Sequence, residues 1–220
     1  MNYKKIVLLA FSISFMLGAC KDNSTNTQPV TYETVTIGTQ VWMKKNLDVD
    51  HYRNGDPIPQ VTDSIKWRNL STGAWCYYKN SDSLGIIYGK LYNWYAVNDP
   101  RGIAPAGWHI ASDTEFTILH TYLGGDSIAI NKLKETGTVH WYHPNNSVTN
   151  LSGYTALPAG WRDNKGIYYA INDLCGWWTS NTFDDTHAIG RTFIYNDKSL
   201  LWSVENKVVG MSVRCVINSN

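Results

Sequence analysis

Residues 112–125 read SDTEFTILHTYLGG and give the clearest secondary-structure signal in the chain. The serine that opens the stretch and the glutamate three residues later have the spacing of a capping box, in which each side chain accepts a hydrogen bond from the other residue's backbone amide. Phe116, Leu119 and Leu123 recur at spacings of three and four, which places them on one face of a helix. Two glycines follow and end the helix. We therefore expect a short helix with one buried face.

The segments on either side of this helix place it in an α+β chain. Residues 32–41 (YETVTIGTQV) alternate apolar and polar side chains up to a turn at Gly38, and residues 208–216 (VVGMSVRCV) are also strand-like. Residues 53–66 contain Asn-Gly and two prolines and indicate a long surface loop. A second helix is expected over about residues 127–135. Because strands and helices come in separate runs rather than in alternating βαβ units, the sequence predicts an α+β fold with two short helices and long loops.

The N-terminus has the pattern of an export signal. Two lysines precede residues 6–19 (IVLLAFSISFMLGA), which hold no charge; a charged start and a short apolar core are typical of a secretory signal. The run is shorter than the roughly 20 residues of a membrane-spanning helix. It ends in Leu-Gly-Ala before Cys20, which resembles the bacterial lipobox. We predict that residues 1–19 are a lipoprotein signal peptide and that Cys20 is lipidated; the alternative is an ordinary signal cleaved before this cysteine.

A lipid on Cys20 would anchor the chain to a membrane, because buried acyl chains contribute about 0.8 kcal/mol per methylene and several chains hold firmly. The polar stretch that follows, KDNSTNTQPVT, has no hydrophobic period and indicates a spacer. Residues 20–33 are therefore predicted to be the lipidated cysteine and a flexible linker, and residues 34–217 the folded domain. The expected location is the cell envelope, with a lipid anchor in the outer membrane.

The charge balance argues against one class of partner. The whole chain has a formal net charge of +1. Removal of residues 1–19 would remove two lysines and no acidic residue, which leaves 17 basic and 18 acidic side chains. Nucleic-acid-binding domains normally carry a basic patch or stripe. We therefore expect no nucleic-acid partner.

Tryptophan and tyrosine are frequent: 10 and 14 residues, against five phenylalanines. Most of these rings should lie in the core. Tryptophan also combines a large apolar ring with an N–H donor, which suits it to binding surfaces. We select Trp161, Trp177, Trp178 and Trp202 as candidate ligand-binding residues. At least one of Trp177 and Trp178 should face the core, since neighbours on a strand point to opposite sides.

Three cysteines remain if Cys20 carries a lipid: Cys76, Cys175 and Cys215. An odd number of cysteines in an oxidising envelope is most simply one disulfide and one buried thiol. The number alone does not select the pair.

Several segments, taken in order, resemble one family. They are residues 35–43 (VTIGTQVWM), 45–47 (KNL), 74–78 (AWCYY), 88–97 (YGKLYNWYAV), 105–110 (PAGWHI), 133–135 (LKE), 153–160 (GYTALPAG), 176–180 (GWWTS) and 211–216 (MSVRCV). The chain resembles the Fibrobacter succinogenes major paralogous domain, which is common in surface lipoproteins of Bacteroidetes and Fibrobacteres. The resemblance spans nearly all of the chain after the predicted signal peptide.

This resemblance implies a C-type-lectin-like fold, related to the domain of formylglycine-generating enzymes, with small antiparallel sheets. It implies a disulfide between Cys76 and Cys215. Cys175 departs from the family pattern, and a bond between Cys175 and Cys215 is the alternative. The resemblance also favours the outer face of the outer membrane.

The chain lacks the short motifs of zinc proteases, phosphate-binding loops and serine hydrolases. The reactive cysteine pair of formylglycine-generating enzymes has no counterpart, because Cys175 and Cys215 are forty residues apart in non-matching motifs. Asp184 and Asp185 could contribute to a calcium loop, although a solvated pair is the simpler interpretation. We predict no enzyme activity, no metal site and no cofactor.

Two kinds of function fit these observations. The first is a non-catalytic envelope lipoprotein whose surface binds a glycan or a protein, as an adhesion or binding module. The second is a structural or assembly component of the cell surface without a small ligand. An enzyme related to formylglycine-generating proteins is a distant third.

Overall fold

The computed structural model describes residues 31–142, 147–196 and 199–218. The predicted signal peptide and Cys20 lie outside these residues. The strands are β1 (Thr34–Ile37), β2 (Gln40–Met43), β3 (Trp75–Cys76), β4 (Leu91–Tyr92), β5 (Trp108–Ile110), β6 (Trp161–Arg162), β7 (Tyr168–Tyr169), β8 (Leu174–Thr182), β9 (His187–Ile194), β10 (Leu201–Asn206), β11 (Ser212–Val213) and β12 (Cys215–Ile217). The helices are α1 (Ser64–Arg68), α2 (Asp82–Tyr88), α3 (Trp94–Val97), α4 (Asp113–Tyr122) and α5 (Asp126–Leu133), with a 3-10 turn at Tyr78–Asn80. The predicted α+β class is confirmed.

The first sheet brings the two ends of the domain together. Its order is β1-β2-β12-β5, and every pair is antiparallel. The predicted N-terminal alternation folds as a hairpin that turns at Gly38, whose φ of 62° is in the left-handed region. A Cβ at Gly38 would lie 2.9 Å from the ring of Tyr122. Only glycine therefore lets the hairpin turn and α4 approach each other this closely.

The second sheet, in the order β10-β9-β8-β11, contains the longest strands. It is mixed rather than purely antiparallel, because β11 runs parallel to β8. Sequence patterns missed this sheet. Leu174 to Thr179 on β8 are all buried, so this stretch has no alternation of polar and apolar residues.

The helices confirm one prediction and correct another. Ser112 and Glu115 form the complete capping box at α4, and Phe116 and Leu119 are buried. The expectation of two short helices was wrong, since α1, α2 and α3 add three more. Each of these begins after a side-chain cap, supplied by Asp63, Ser81 and Asn93. With four to seven residues they are too short to show a helical period, and α1 begins inside the segment predicted as a loop.

The apolar core is divided among three clusters, and each contains one of the three described cysteines. Cys76 lies with Trp67 and Tyr78, Cys175 lies in the cluster around α4, and Cys215 lies in the cluster that contains Trp178. No helix in the described part of the chain is long and apolar enough to cross a membrane.

The implied disulfide between Cys76 and Cys215 is absent, and so is the alternative with Cys175. All three residues are free, buried thiols. Cys76 lies on β3 and Cys215 on β12, in different sheets, and the Cys175 thiol donates to the carbonyl of Leu157 at 2.9 Å. Each thiol packs as a small apolar side chain in its own cluster.

Burial of these thiols predicts a loss of stability in alkali. Burial raises the pKa of Cys215 from 9.0 to about 12. The unfolded thiol therefore ionises first, so its stabilising contribution is complete below pH 9 and is lost as the pH rises toward 12. At pH 10.5 the cost is about 2 kcal/mol, from 1.36 kcal/mol per pH unit.

Urea unfolding between pH 8 and 10.5 measures this effect. Cys215→Ala lowers stability at neutral pH but should show a shallower alkaline decline than the unmodified chain. Parallel pH profiles for the two chains would show that Cys215 does not contribute to the loss of stability in alkali.

Candidate functional site

Several segments that carried the family resemblance meet at one buried side chain, Arg214. The Arg214 guanidinium donates to the Asn46 side-chain oxygen from Nε at 3.2 Å and from Nη2 at 2.9 Å. The same oxygen accepts the indole N–H of Trp177 at 2.9 Å. The Asn46 amide nitrogen in turn donates to the carbonyl of Tyr88. Hydrogen bonds therefore join residues from four separate segments at this one node.

The remaining contacts of Arg214 are with neutral groups. Its Nη1 atom donates to the carbonyls of Met43, Lys44 and Tyr154 at 2.8–3.0 Å. The guanidinium carbon lies 4.3 Å from the centre of the Tyr154 ring, in a cation–π contact. Arg214 is 1% exposed and forms no ion pair among the described residues. Burial lowers the pKa of its guanidinium.

Three other buried cations are held in the same way. Arg162 donates to three backbone carbonyls and lies 4.4 Å from the Trp67 ring. Lys134 donates to one carbonyl and lies 4.0 Å from the Trp141 ring. Lys207 donates to two carbonyls and lies 4.8 Å from a third tryptophan ring. The rings of Trp67, Trp94 and Trp141 therefore each contact a buried cation in the interior.

Two of the four predicted ligand-binding tryptophans are part of this interior. Trp177 and Trp178 are 1% and 0% exposed. They point to opposite faces of β8, where Trp178 packs with Met211 and Trp177 packs with Phe193. Their prediction as ligand-binding residues was wrong, because both faces of this strand are covered.

Trp161 lies at an open cleft of about 250 Å³. Trp161 is half-buried. Its side chain points away from the interior, because neighbouring strand residues point to opposite sides and Arg162 points inward. The polar residues that line the cleft come from the turn after β6 and from the paired ends of β9 and β10: they are Asp163, Asn164, His187, Glu205 and Asn206. Burial raises the pKa of the Glu205 carboxyl. An indole ring surrounded by amide, carboxyl and imidazole groups can bind a ligand that has both apolar faces and hydroxyl groups.

Trp202 is exposed on the outer strand β10. Its ring meets that of Phe183 edge to face, with centroids 5.8 Å apart. Trp202 and Phe183 are 49% and 54% exposed. This exposed aromatic pair is a separate surface feature and lines none of the clefts described here.

The candidate calcium loop at Asp184 and Asp185 already has a cation. The Lys207 ammonium donates to the carbonyls of both residues, at 2.7 and 3.0 Å. The Asp184 carboxylate accepts from the backbone amides of Thr186 and His187, and these bonds lower its pKa to about 2. Asp184 and Asp185 are therefore part of a turn whose backbone carbonyls bind the Lys207 ammonium group. Within the described ranges no group of three His, Cys, Asp or Glu side chains could hold a metal ion.

Sequence patterns missed Arg214, Lys207 and the polar partners of Trp161. One signal was available: Arg214 is the sole charged residue in the strand-like stretch VVGMSVRCV. A charge in a segment that is otherwise apolar indicates a buried, bonded group. The polar partners of Trp161 come from three separate segments, at residues 163–164, 187 and 205–206, which share no sequence pattern.

The chain forms an α+β domain in which hydrogen bonds from Arg214 to Asn46 join the last segment to the first. The chain belongs to the Fibrobacter succinogenes major domain family (Fib_succ_major), which matches residues 35–217. The family membership expected from the sequence is thereby confirmed. No curated protein and no solved structure matches the chain.

Proposed function

We propose that this chain is a non-catalytic binding module of the bacterial cell envelope, which holds a glycan in the cleft beside Trp161. The observation that carries this proposal is the composition of the cleft. A sugar ring presents a C–H face that packs on an indole and hydroxyl groups that bond to amides and carboxylates. The side chains around Trp161 offer both kinds of contact.

The burial and the raised pKa of the cysteine thiols support a non-catalytic role. Nucleophilic cysteines need a lowered pKa and access to solvent. Cys175 and Cys215 are fully buried, and burial raises the pKa of both thiols. Thiol chemistry of the formylglycine-generating type would need a reactive, accessible pair.

The proposed location is the outer surface of the outer membrane, with the lipid on Cys20 as the anchor and residues 20–33 as the linker. The lipobox-like end of the apolar N-terminal run supports this part of the proposal. The near balance of acidic and basic residues supports a partner other than nucleic acid.

For the finer fold we propose a C-type-lectin-like domain. The pairing of β12 with β2 joins the two ends of the domain, as that fold requires. The long antiparallel strands β8, β9 and β10 and the connecting loops also fit it. Trp161 lies beside the paired ends of β9 and β10 in this arrangement.

The second candidate function is a structural or assembly component of the cell surface. The exposed pair of Trp202 and Phe183 favours it, because exposed aromatic rings are frequent anchors in protein interfaces. This function requires a protein partner and no saturable glycan.

Calorimetric titration with a panel of soluble neutral oligosaccharides tests the proposal. We expect saturable binding to at least one of them, weakened at least tenfold in Trp161→Ala, equivalent to about 1.4 kcal/mol. Trp202→Ala is the matched control and should bind normally. Absence of binding across the panel, or an equal loss in Trp202→Ala, would contradict the assignment of the cleft.

A further inference from the structure

A second and larger cavity, of about 490 Å³, lies beside the Arg214 node. Its walls come from the segment after β2, the C-terminal half of α2 and residues 155–157. Its size is within the roughly 300–1,000 Å³ of typical small-molecule sites. Nothing in the glycan proposal uses this cavity, which shares no lining residue with the Trp161 cleft.

Arg214 lines the cavity as a buried cation without an acidic partner among the described residues. A guanidinium has five N–H donors in a planar fork. The Nη2 atom of Arg214 carries two of them, and the described residues supply it with one acceptor, Asn46 Oδ1. Buried charges are usually paired. The cavity therefore has a donor at its wall that an oxyanion could use.

The other charges around the cavity reinforce this positive character. Lys44 and Lys45 both lie near a single carboxylate, that of Glu33, at 3.8 and 3.4 Å. The lining carries three cations and three acids, and one of the acids, Asp48, also pairs with the buried Lys90 outside the lining. Among the described residues, Glu33 is the one acid that pairs with any of Lys44, Lys45 and Arg214, so these three cations together hold a local excess of positive charge.

Part of the lining is apolar. Ile86 and Ile87 lie on α2 and are 85% and 42% exposed. Leu157 completes this wall. Two adjacent exposed isoleucines beside a cationic wall suit a ligand that has a charged end and an aliphatic end.

We propose that this cavity binds a small organic carboxylate, with its carboxylate toward Arg214, Lys44 and Lys45 and its aliphatic part against Ile86 and Ile87. One carboxylate oxygen can accept the Nη2 hydrogen that has no acceptor among the described residues, in a charge-assisted hydrogen bond. The exposed isoleucines supply the apolar contact that a bare inorganic anion would not need.

Calorimetric titration of the full chain with octanoate tests this proposal. We expect saturable binding of octanoate, with octanamide and acetate each at least tenfold weaker, because the first lacks the charge and the second lacks the chain. Equal binding of octanamide would overturn the anion site, and equal binding of acetate would overturn the apolar wall. No saturation by octanoate would overturn both.

Variants of exposed residues keep the test independent of folding. Lys45→Gln combined with Ile86→Ser should weaken octanoate binding at least tenfold. The matched control is Lys66→Gln with Ile65→Ser, which changes the same residue types on the exposed part of α1 and should bind normally. Equal weakening in the control would show non-specific adsorption and overturn the site.

Trp161→Ala should also leave octanoate binding unchanged. The glycan proposal and the carboxylate proposal can therefore fail separately.

Discussion

Arg214→Met is expected to lower the free energy of unfolding by about 3 kcal/mol or more, because several buried acceptors lose a donor at once. Methionine keeps much of the side-chain length but donates no hydrogen bond. It would remove the Arg214 donor from the carbonyls of Met43, Lys44 and Tyr154. The Asn46 side-chain oxygen would keep one donor, the Trp177 indole N–H. Buried acceptors that lose their donor cost about 1–3 kcal/mol each before relaxation.

Arg101→Met is the matched control for this variant. Arg101 forms ion pairs with Asp56 and Asp99 at 3.0 and 2.8 Å, whereas Arg214 forms none among the described residues. The Arg101 side chain is 40% exposed, and solvent-exposed ion pairs contribute little to stability. Urea unfolding at pH 7 measures both variants. A larger loss for Arg101→Met would refute the assignment of Arg214 as the node of the domain.

Trp178→Ala should cost about 3–5 kcal/mol, as is typical when a buried tryptophan is truncated to alanine. The ring is 0% exposed, and its N–H donates to the carbonyl of Tyr92 at 2.9 Å. Trp202→Ala removes the same number of atoms from a ring that is 49% exposed, and we expect a loss below about 1 kcal/mol.

Thermal or urea unfolding of the two tryptophan variants measures the difference. Similar losses in both would mean that Trp178 is not a core residue. In that case Trp178 would again be a candidate ligand-binding residue.

Local patterns predicted some elements of this fold well. The capped helix α4 and the N-terminal hairpin depend on residues close together in the sequence, so their signals are complete within a short window. The family resemblance was also carried by short segments, and it proved correct.

Other features depend on distant residues and could not be predicted. The strand β8 has no alternation because both of its faces are buried. The Trp161 cleft combines residues from β6, β9 and β10, whose proximity follows from sheet pairing. The disulfide that the family resemblance implied between Cys76 and Cys215 is absent, and the two cysteines lie in different core clusters. Short matching segments carry no information on which cysteines come close together.

The described residues include five buried cations, and one of them, Lys90, pairs with the Asp48 carboxylate. Carbonyl oxygens and aromatic rings contact the other four, which are Arg162, Lys134, Lys207 and Arg214. Carboxylates lose their charge when acid protonates them, and this loss drives most acid denaturation. Carbonyls and indole rings have no such transition in that range. The contacts that hold these four positive charges are therefore insensitive to acid, whereas an acidic environment would act on the carboxylate pairs, including that of the buried Lys90 with Asp48.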